Sequence, residues 1–113
     1  MTNEYVTRMA RELRRASTQH QAPIWKALSE HAFTSSGRTT NIRDIARLTR
    51  DGDAVAFPGK VLGTGGISHK ITLFCFGISE SAADKVVGAG GRIVDHGTMI
   101  SERPTGQGVV LLG

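Results

Sequence analysis

Residues 52–65 of the chain read GDAVAFPGKVLGTG, and the fold prediction starts from this stretch. A turn signal at residues 51–53 precedes an apolar run at residues 54–57 that is typical of a β-strand. Pro58-Gly59 is expected to stop this strand, because proline cannot donate to a strand ladder. Residues 71–76 are apolar on both faces and are expected to form a second, central strand. The sequence therefore predicts two strands joined by a glycine-rich connection.

The glycine-rich connection matches neither of the two common nucleotide-binding motifs. A P-loop needs Ser or Thr directly after Gly-Lys to hold magnesium, but Val61 follows Lys60. A dinucleotide fingerprint needs glycines at its first, third and sixth positions. Gly63 and Gly65 fit the first two, but Ser68 occupies the sixth. Both nucleotide motifs are therefore rejected.

Two interpretations of this loop remain open. Closely spaced glycines let backbone N–H groups approach a phosphate. If the loop folds back as a hairpin, Lys60 and Lys70 lie on either side of one concave surface. The alternative is an ordinary glycine-rich turn between two strands, with both lysines solvated. Composition alone does not decide between the two.

Upstream of the loop, the spacing of apolar residues predicts three helices. Asn3 is expected to cap the first, Pro23 opens the second and Gly37 ends it, and the third begins near Thr40 or Asn41. Residues 34–37 are a short linker between elements. The positions expected to face the core are Val6, Met9, Ala10, Leu13, Ala16, Ile24, Ala27, Leu28, Ala32, Ile42, Ile45, Ala46, and Leu48 or Thr49.

Downstream of residue 78, short helices and strands are expected to alternate. Ser79 is expected to cap a helix that runs through Val87, with Ala83, Val86 and Val87 facing inward. Residues 92–95 are expected to form a strand, residues 99–103 a helical turn, and residues 109–112 a last strand. This order predicts an α/β fold, in which N-terminal helices pack on a small domain of short strands alternating with helices, with parallel pairing as one option.

Charge and glycine are unevenly distributed over the 113 residues, which carry a net charge of +4. Residues 1–50 contain nine Lys and Arg against four acids, whereas residues 51–113 contain five against six and hold 13 of the 14 glycines. A basic segment of 50 residues could not bury a core by itself. We therefore expect a single domain over residues 1–113, with a basic helical part at 1–50 and a glycine-rich α/β part at 51–113.

Several classes of protein are excluded. The longest uncharged apolar run, Ile71–Ile78, is far shorter than the ~20 residues of a membrane-spanning helix. Glu4 and Arg8 interrupt any secretory signal. The single cysteine, Cys75, excludes an internal disulfide and is expected to pack as a small buried hydrophobe in a reducing compartment.

Neither a catalytic nor a metal-binding constellation is evident. The four histidines are not spaced to share a metal with one another or with Cys75, and Cys75 has no activating neighbour. We therefore expect no cofactor and no metal. Trp25 could stack on a nucleobase, but we interpret it as a core anchor.

The distribution of arginine favours RNA. Arginine supplies 10 of the 14 positive charges, and its planar guanidinium suits phosphate recognition. Helical spacing places Arg8, Arg11 and Arg15 on one face, with Arg14 at its flank. It places a second group on another face: Arg43, Arg47 and Arg50. Either face could simply be solvated. Because few aromatics are free to stack, recognition of folded RNA through its backbone and shape is favoured over single-strand recognition.

The chain also resembles a known family. Residues 52–65, followed by His69-Lys70, strongly resemble the large-subunit ribosomal protein eighteen-e family of archaea and eukaryotes, which shares its fold with the bacterial large-subunit protein fifteen. Ala22–Lys26 resembles the start of the family's second helix, and Asn41-Ile42 resembles the start of its third helix. Further similarities follow in order at Ser79, Ala82, Lys85, Gly90-Gly91, Pro104, Gly106 and Gly108-Val109. The short chain resembles the archaeal form.

The resemblance implies a non-enzymatic structural constituent of the large ribosomal subunit, located in the cytoplasm on the ribosome. Its expected partners are large-subunit rRNA and neighbouring ribosomal proteins, without a membrane or a small-molecule substrate. Two alternatives remain: a small cytosolic enzyme that handles nucleotides or phosphate with the glycine-rich loop, and a free regulatory RNA-binding module. The residues expected to bind RNA are Arg11, Arg14, Arg15, Lys26, Arg38, Asn41, Arg43, Arg47, Gly59, Lys60, Gly63, Gly65, His69 and Lys70.

Overall fold

The computed structural model of the chain describes residues 4–33 and 38–112. The helices are α1 (Glu4–His20), α2 (Pro23–His31), α3 (Ile42–Leu48), α4 (Glu80–Gly88) and α5 (His96–Glu102). The strands are β1 (Thr39–Asn41), β2 (Asp53–Leu62), β3 (Ile71–Ile78), β4 (Arg92–Ile93) and β5 (Val109–Leu111). The predicted cap at Asn3 and the predicted linker at residues 34–37, including Gly37, lie outside the described residues.

All five strands are joined in parallel in one sheet, which confirms the predicted α/β class. The order is β1-β2-β3-β4, and β5 also pairs with β2. Because β3 occupies one edge of β2, β1 and β5 must share the other. β5 pairs with residues 54–56 and β1 with residues 60–62. β2 is thus the centre of the sheet.

The two faces of the sheet are covered by different helices. Successive side chains of a strand point to opposite faces. Ala54 and Ala56 of β2 therefore meet α1, α2 and α5, whereas Val55 and Phe57 meet α3 and α4. The first core contains Met9, Leu13, Ala16, Ala22, Trp25, Leu28, Ala54, Ala56, Phe74 and Met99. The second contains Ile42, Ile45, Val55, Phe57, Val61, Ile71, Leu73, Ala82 and Val86.

Pro58-Gly59 does not end the strand, contrary to the prediction. β2 continues to Leu62, and its register against β3 shifts between Phe57 and Lys60. On the other edge, pairing with β5 stops at Ala56 and pairing with β1 starts at Lys60. The missing N–H of Pro58 therefore falls in the gap between two partner strands, where no ladder bond is lost.

The hairpin interpretation of the glycine-rich loop is wrong, because β2 and β3 are parallel. Lys60 pairs with Gly77 near the carboxyl end of the strands, whereas Lys70 directly precedes Ile71, which pairs with Asp53 at the amino end. At about 3.3 Å per residue the two lysines lie roughly 20 Å apart along the strand direction. They do not enclose one concave surface.

Most helix predictions are confirmed by the caps and by burial. The side chain of Asn41 accepts a hydrogen bond from the N–H of Asp44 (2.9 Å), and Ser79 accepts one from Ala82 (3.2 Å). The prediction that Val87 faces the core is wrong, because its side chain is 60% exposed. Ala82 faces the core, together with Val86 one turn later. The strand β1, just before α3, was not predicted, because three residues carry too little periodicity.

Trp25 is a core anchor, as predicted. Its side chain is fully buried, and its indole Nε1–H donates to the carbonyl oxygen of Pro104 at 2.7 Å. This bond ties α2 to the segment between α5 and β5. Among the described residues, no helix is both long and apolar enough to cross a membrane.

Candidate RNA-binding surfaces

The connection from β2 to β3, residues 63–70, is named the crossover here. It must return from Leu62 to the level of Asp53, because Ile71 pairs with Asp53. That return covers about 27 Å, allowing for the register shift. Nine residue steps reach at most about 31 Å. The crossover is therefore nearly fully extended, and it makes a parallel connection without a helix.

Two glycines let the crossover pass close to α3 and α4, the helices that cover one face of the sheet. A Cβ on Gly63 would meet the side chain of Ser81 and lie 3.2 Å from the backbone nitrogen of Ala82 in α4. A Cβ on Gly65 would lie 2.8 Å from the backbone of Arg43 in α3, and its φ of +94° also favours glycine. The missing side chains of both glycines thus face the protein's own helices.

Three consecutive carbonyl oxygens of the crossover are bound by these helices. The ammonium group of Lys85 donates to the carbonyl oxygens of Gly63 (2.5 Å) and Gly65 (2.6 Å). The backbone N–H of Arg43 donates to the carbonyl oxygen of Thr64 (3.0 Å). This holds the middle of the crossover between α3 and α4. The role of Lys85 was missed from sequence, since its partners lie 20 and 22 positions away and its own neighbours give no sign of them.

The far end of the crossover is attached to the end of α3. The hydroxyl of Thr49 donates to the carbonyl oxygen of Ile45 (2.7 Å) and lies 2.8 Å from Nε2 of His69. Because the only hydroxyl proton is engaged with Ile45, Nε2 of His69 carries the proton and donates to Thr49. The predicted RNA-binding residue His69 therefore has a structural bond within the chain.

Basic side chains of α3 lie beside the crossover. Arg43 and Arg47 are exposed and one helical turn apart. Arg47 forms an ion pair with Asp44 at 3.2 Å, which is weak because its side chain is 72% exposed. Arg38 shares a cavity of about 280 Å³ with Arg47. We name Arg38, Arg43, Arg47 and the crossover the α3 surface.

Four further residues that were predicted to bind RNA do not lie together in the structure. They are Asn41, Gly59, Lys60 and Lys70. The amide oxygen of Asn41 is used as a helix cap. A Cβ on Gly59 would lie 2.5 Å from the carbonyl oxygen of Arg38. Val61 faces the α3 side of the sheet, so its neighbour Lys60 projects to the opposite side. Lys70 is exposed at the amino end of β3, where its side chain runs past Gly90.

The remaining predicted residues lie on the other face of the sheet. The arginines of α1 and Lys26 of α2 are exposed. We name Arg8, Arg11, Arg14 and Arg15 the α1 surface. Within the described parts of the chain, no carboxylate forms an ion pair with any of these four side chains.

Residues 24–94 match the family model of ribosomal proteins that is described as 50S-L15, 50S-L18e and 60S-L27A. The matched segment runs from α2 to the residue after β4, so it includes the whole crossover and both helices that hold it. The chain belongs to this ribosomal protein family.

Curated relatives extend the similarity over nearly the whole chain. The large ribosomal subunit protein eL18 of Methanothermobacter thermautotrophicus is 33% identical over 105 residues, covering 91% of this chain and 87% of that protein. The eL18 protein of Pyrobaculum aerophilum is 34% identical over 112 residues, covering 96% of this chain and 90% of that protein. That of Methanococcus maripaludis is 29% identical over 113 residues, with coverages of 98% and 94%.

This ribosomal protein is structural rather than enzymatic, so the alternative of a nucleotide-handling enzyme is not retained. Within residues 4–33 and 38–112, no group of three or more His, Cys, Asp or Glu is placed to hold a metal ion. Burial raises the pKa of the Cys75 thiol to about 11, which keeps it protonated and unreactive near neutral pH.

Proposed function

We propose that this member of the 50S-L15, 50S-L18e and 60S-L27A family binds large-subunit rRNA and supports its folded architecture during translation. The α3 surface is the first contact we assign, with the α1 surface, Lys26, Lys60 and Lys70 as further contacts. Its other partners are neighbouring ribosomal proteins, and its location is the cytoplasmic ribosome. This proposal goes beyond family membership, which establishes a structural role in the large subunit.

The observation that carries the proposal is the position of Arg43. Its backbone N–H holds the crossover through Thr64, and its exposed side chain extends from the same point. Arg47 lies one turn further along the same helix. Two guanidinium groups and an extended glycine-rich backbone therefore share one surface. Such a surface can follow an RNA backbone, because arginine binds phosphate oxygens and the crossover is exposed at residues 64–66.

The binding mechanism we infer is electrostatic and steric. Each phosphate that an arginine neutralises releases condensed counterions, so affinity falls steeply as salt rises. The crossover contributes shape rather than charge. Because Lys85 and Arg43 hold its carbonyl oxygens against α3 and α4, it meets RNA as a fixed surface and loses little conformational freedom on binding.

The first experiment measures affinity of the full chain for purified large-subunit rRNA over a range of salt concentrations. The variant Arg43→Gln/Arg47→Gln should bind more weakly, and the slope of log affinity against log salt should fall by about two. The control Arg92→Gln/Arg103→Gln removes the same number of charges outside the proposed contacts. Equal losses in both variants would show that net charge, and not the α3 surface, governs binding.

The second experiment asks where the protein resides in cells. Tagged wild-type protein should sediment with the large subunit on a salt-washed gradient. The Arg43→Gln/Arg47→Gln variant should shift toward the free pool. A wild-type protein found mainly in a soluble pool would instead support the free RNA-binding module.

A further inference from the structure

The α1 surface and the α3 surface lie on opposite sides of the sheet. α1 packs through Met9 and Leu13 onto the core that contains Ala54, whereas α3 packs through Ile42 onto the core that contains Val55. Neighbouring residues of β2 point to opposite faces, so the sheet separates the two helices. With about 10 Å between packed layers, the axes of α1 and α3 are roughly 20 Å apart. The outward faces of the helices are further apart still.

The α1 surface is a concentrated positive charge of its own. All four arginines are exposed; Arg8, Arg11 and Arg15 lie opposite the buried stripe of the helix, and Arg14 lies at their flank. Glu12 is the acid nearest to them in sequence. Its carboxylate Oε1 lies 3.1 Å from Nε2 of His96 in α5, in a cavity that Arg15 also lines.

The spacing and type of these side chains suit a phosphate backbone. Arg8 to Arg15 spans about 10 Å along the helix axis. Tyr5, which is 58% exposed, lies one turn before Arg8, but single-strand recognition uses several aromatic side chains on which successive bases stack. Double-helical RNA, contacted through its phosphates, is therefore the ligand that fits both surfaces.

We propose that one molecule of this protein bridges two double-helical RNA segments, one on the α1 surface and one on the α3 surface. A single straight helix lying against one surface cannot reach the other, because the sheet stands between them. The bridging role rests on the proposed rRNA binding, which supplies the class of ligand. It adds that the protein holds two RNA segments at a set distance, through two independent sites.

The test uses the full chain and two 20-base-pair RNA duplexes of unrelated sequence, one immobilised and one fluorescent in solution. Wild-type protein should capture the fluorescent duplex on the immobilised one. The matched variants Arg11→Gln/Arg15→Gln and Arg43→Gln/Arg47→Gln each remove two charges from one surface. Each should still bind a single duplex through its intact surface, with an unchanged salt slope for that surface, but should capture several-fold less of the second. Thermal melting of both variants checks that they remain folded.

Mixing the two variants provides the sharpest control. If one molecule does the bridging, the mixture captures no more than either variant alone. Capture restored by mixing would show that a dimer bridges, which overturns the proposal. Wild-type protein that binds one duplex but never captures a second would also overturn it. Neither outcome affects rRNA binding, which is decided separately by affinity for purified rRNA.

Discussion

The ammonium group of Lys85 donates to the carbonyl oxygen of Gly63 at 2.5 Å, and this bond joins α4 to the first residue of the crossover. A second bond from the same ammonium reaches Gly65. An extended connection has few contacts of its own, so such bonds decide whether it has one conformation. Predictions about the crossover therefore start from Lys85.

Replacing Lys85 with Met should release the middle of the crossover. The methylene packing is kept, but two charge-assisted hydrogen bonds are lost, one of them exposed to solvent. We expect the free energy of unfolding to fall by about 1–2 kcal/mol in urea denaturation. Amide exchange at residues 64–68 should accelerate more than in β2. Lys70→Met is the control, because Lys70 is exposed, and an equal loss there would contradict the role of Lys85.

Gly63→Ala should destabilise the protein, whereas Gly66→Ala should not. A Cβ at Gly63 meets Ser81, while nothing lies within 4 Å of a Cβ at Gly66. We expect Gly63→Ala to lower the free energy of unfolding by about 1–3 kcal/mol. Gly66→Ala should be neutral or stabilising by up to about 1 kcal/mol, through the entropy of the unfolded chain. Thermal or urea unfolding compares the two, and a reversed order would show that Gly63 is not constrained by α4.

The hydroxyl of Thr49 should matter more than its methyl group. Thr49→Val removes the acceptor of the His69 bond and the donor to Ile45, whereas Thr49→Ser keeps both. We expect the valine variant to lose about 1–2 kcal/mol of stability and the serine variant less than half of that. The NMR exchange of the His69 ring N–H reports the bond directly. If it remains protected in the valine variant, Thr49 is not its partner.

Trp25→Phe should be costly although the change is conservative. The variant leaves the carbonyl oxygen of Pro104 without its 2.7 Å donor and opens space in a fully buried site. We expect a loss of about 1–3 kcal/mol in urea denaturation. Tyr5→Phe, at a side chain that is 58% exposed, should change stability by less than about 0.5 kcal/mol. Similar losses at both positions would argue against the bond to Pro104.

Cys75 should make stability decrease at alkaline pH. Burial raises the pKa of its thiol from the ordinary value of 9.0 to about 11. The folded state therefore keeps the proton longer than the unfolded state. The contribution is complete below about pH 9 and is lost as pH rises toward 11, by up to about 2 kcal/mol.

A Cys75→Ala variant separates this effect from other alkaline titrations. The difference in free energy of unfolding between wild type and variant should be constant below about pH 9 and should then shift in favour of the variant up to about pH 11. Iodoacetamide should modify the native thiol slowly at neutral pH. A pH-independent difference between the two proteins would show that the thiol is not protected by burial.

Local signals predicted most of the helices correctly. Ser79 was predicted as a cap, and Asn41 as one of two possible starts of α3, and each accepts a hydrogen bond from a residue three positions away. The core positions of α1 followed from helical spacing alone, and Met9, Leu13 and Ala16 are buried as predicted. Such features depend on neighbours within one or two turns, so a single sequence contains them.

The path of the chain between these elements depends on contacts that the sequence does not display. Pro58-Gly59 is a reliable stop signal in isolation, yet β2 runs through it because β5 and β1 leave a gap at that point of the edge. The hairpin prediction failed for a similar reason, since glycines permit a tight turn and a close-packed extended chain equally well. The parallel pairing of β2 with β3 excludes the hairpin, and α3 and α4 hold the extended crossover in place.

The charged surfaces also depend partly on local spacing and partly on long-range packing. The arginine spacing in α1 and α3 was sufficient to predict two basic helix faces, because side chains one turn apart lie together on any helix. That these faces point in opposite directions depends on which side of the sheet each helix covers. Composition cannot show that Lys85 is engaged by the crossover while the arginines of α1 are free of carboxylate partners among the described residues. Periodicity thus specified the elements and their charged faces, while long-range packing against β2 determined which groups the protein uses for itself and which it exposes.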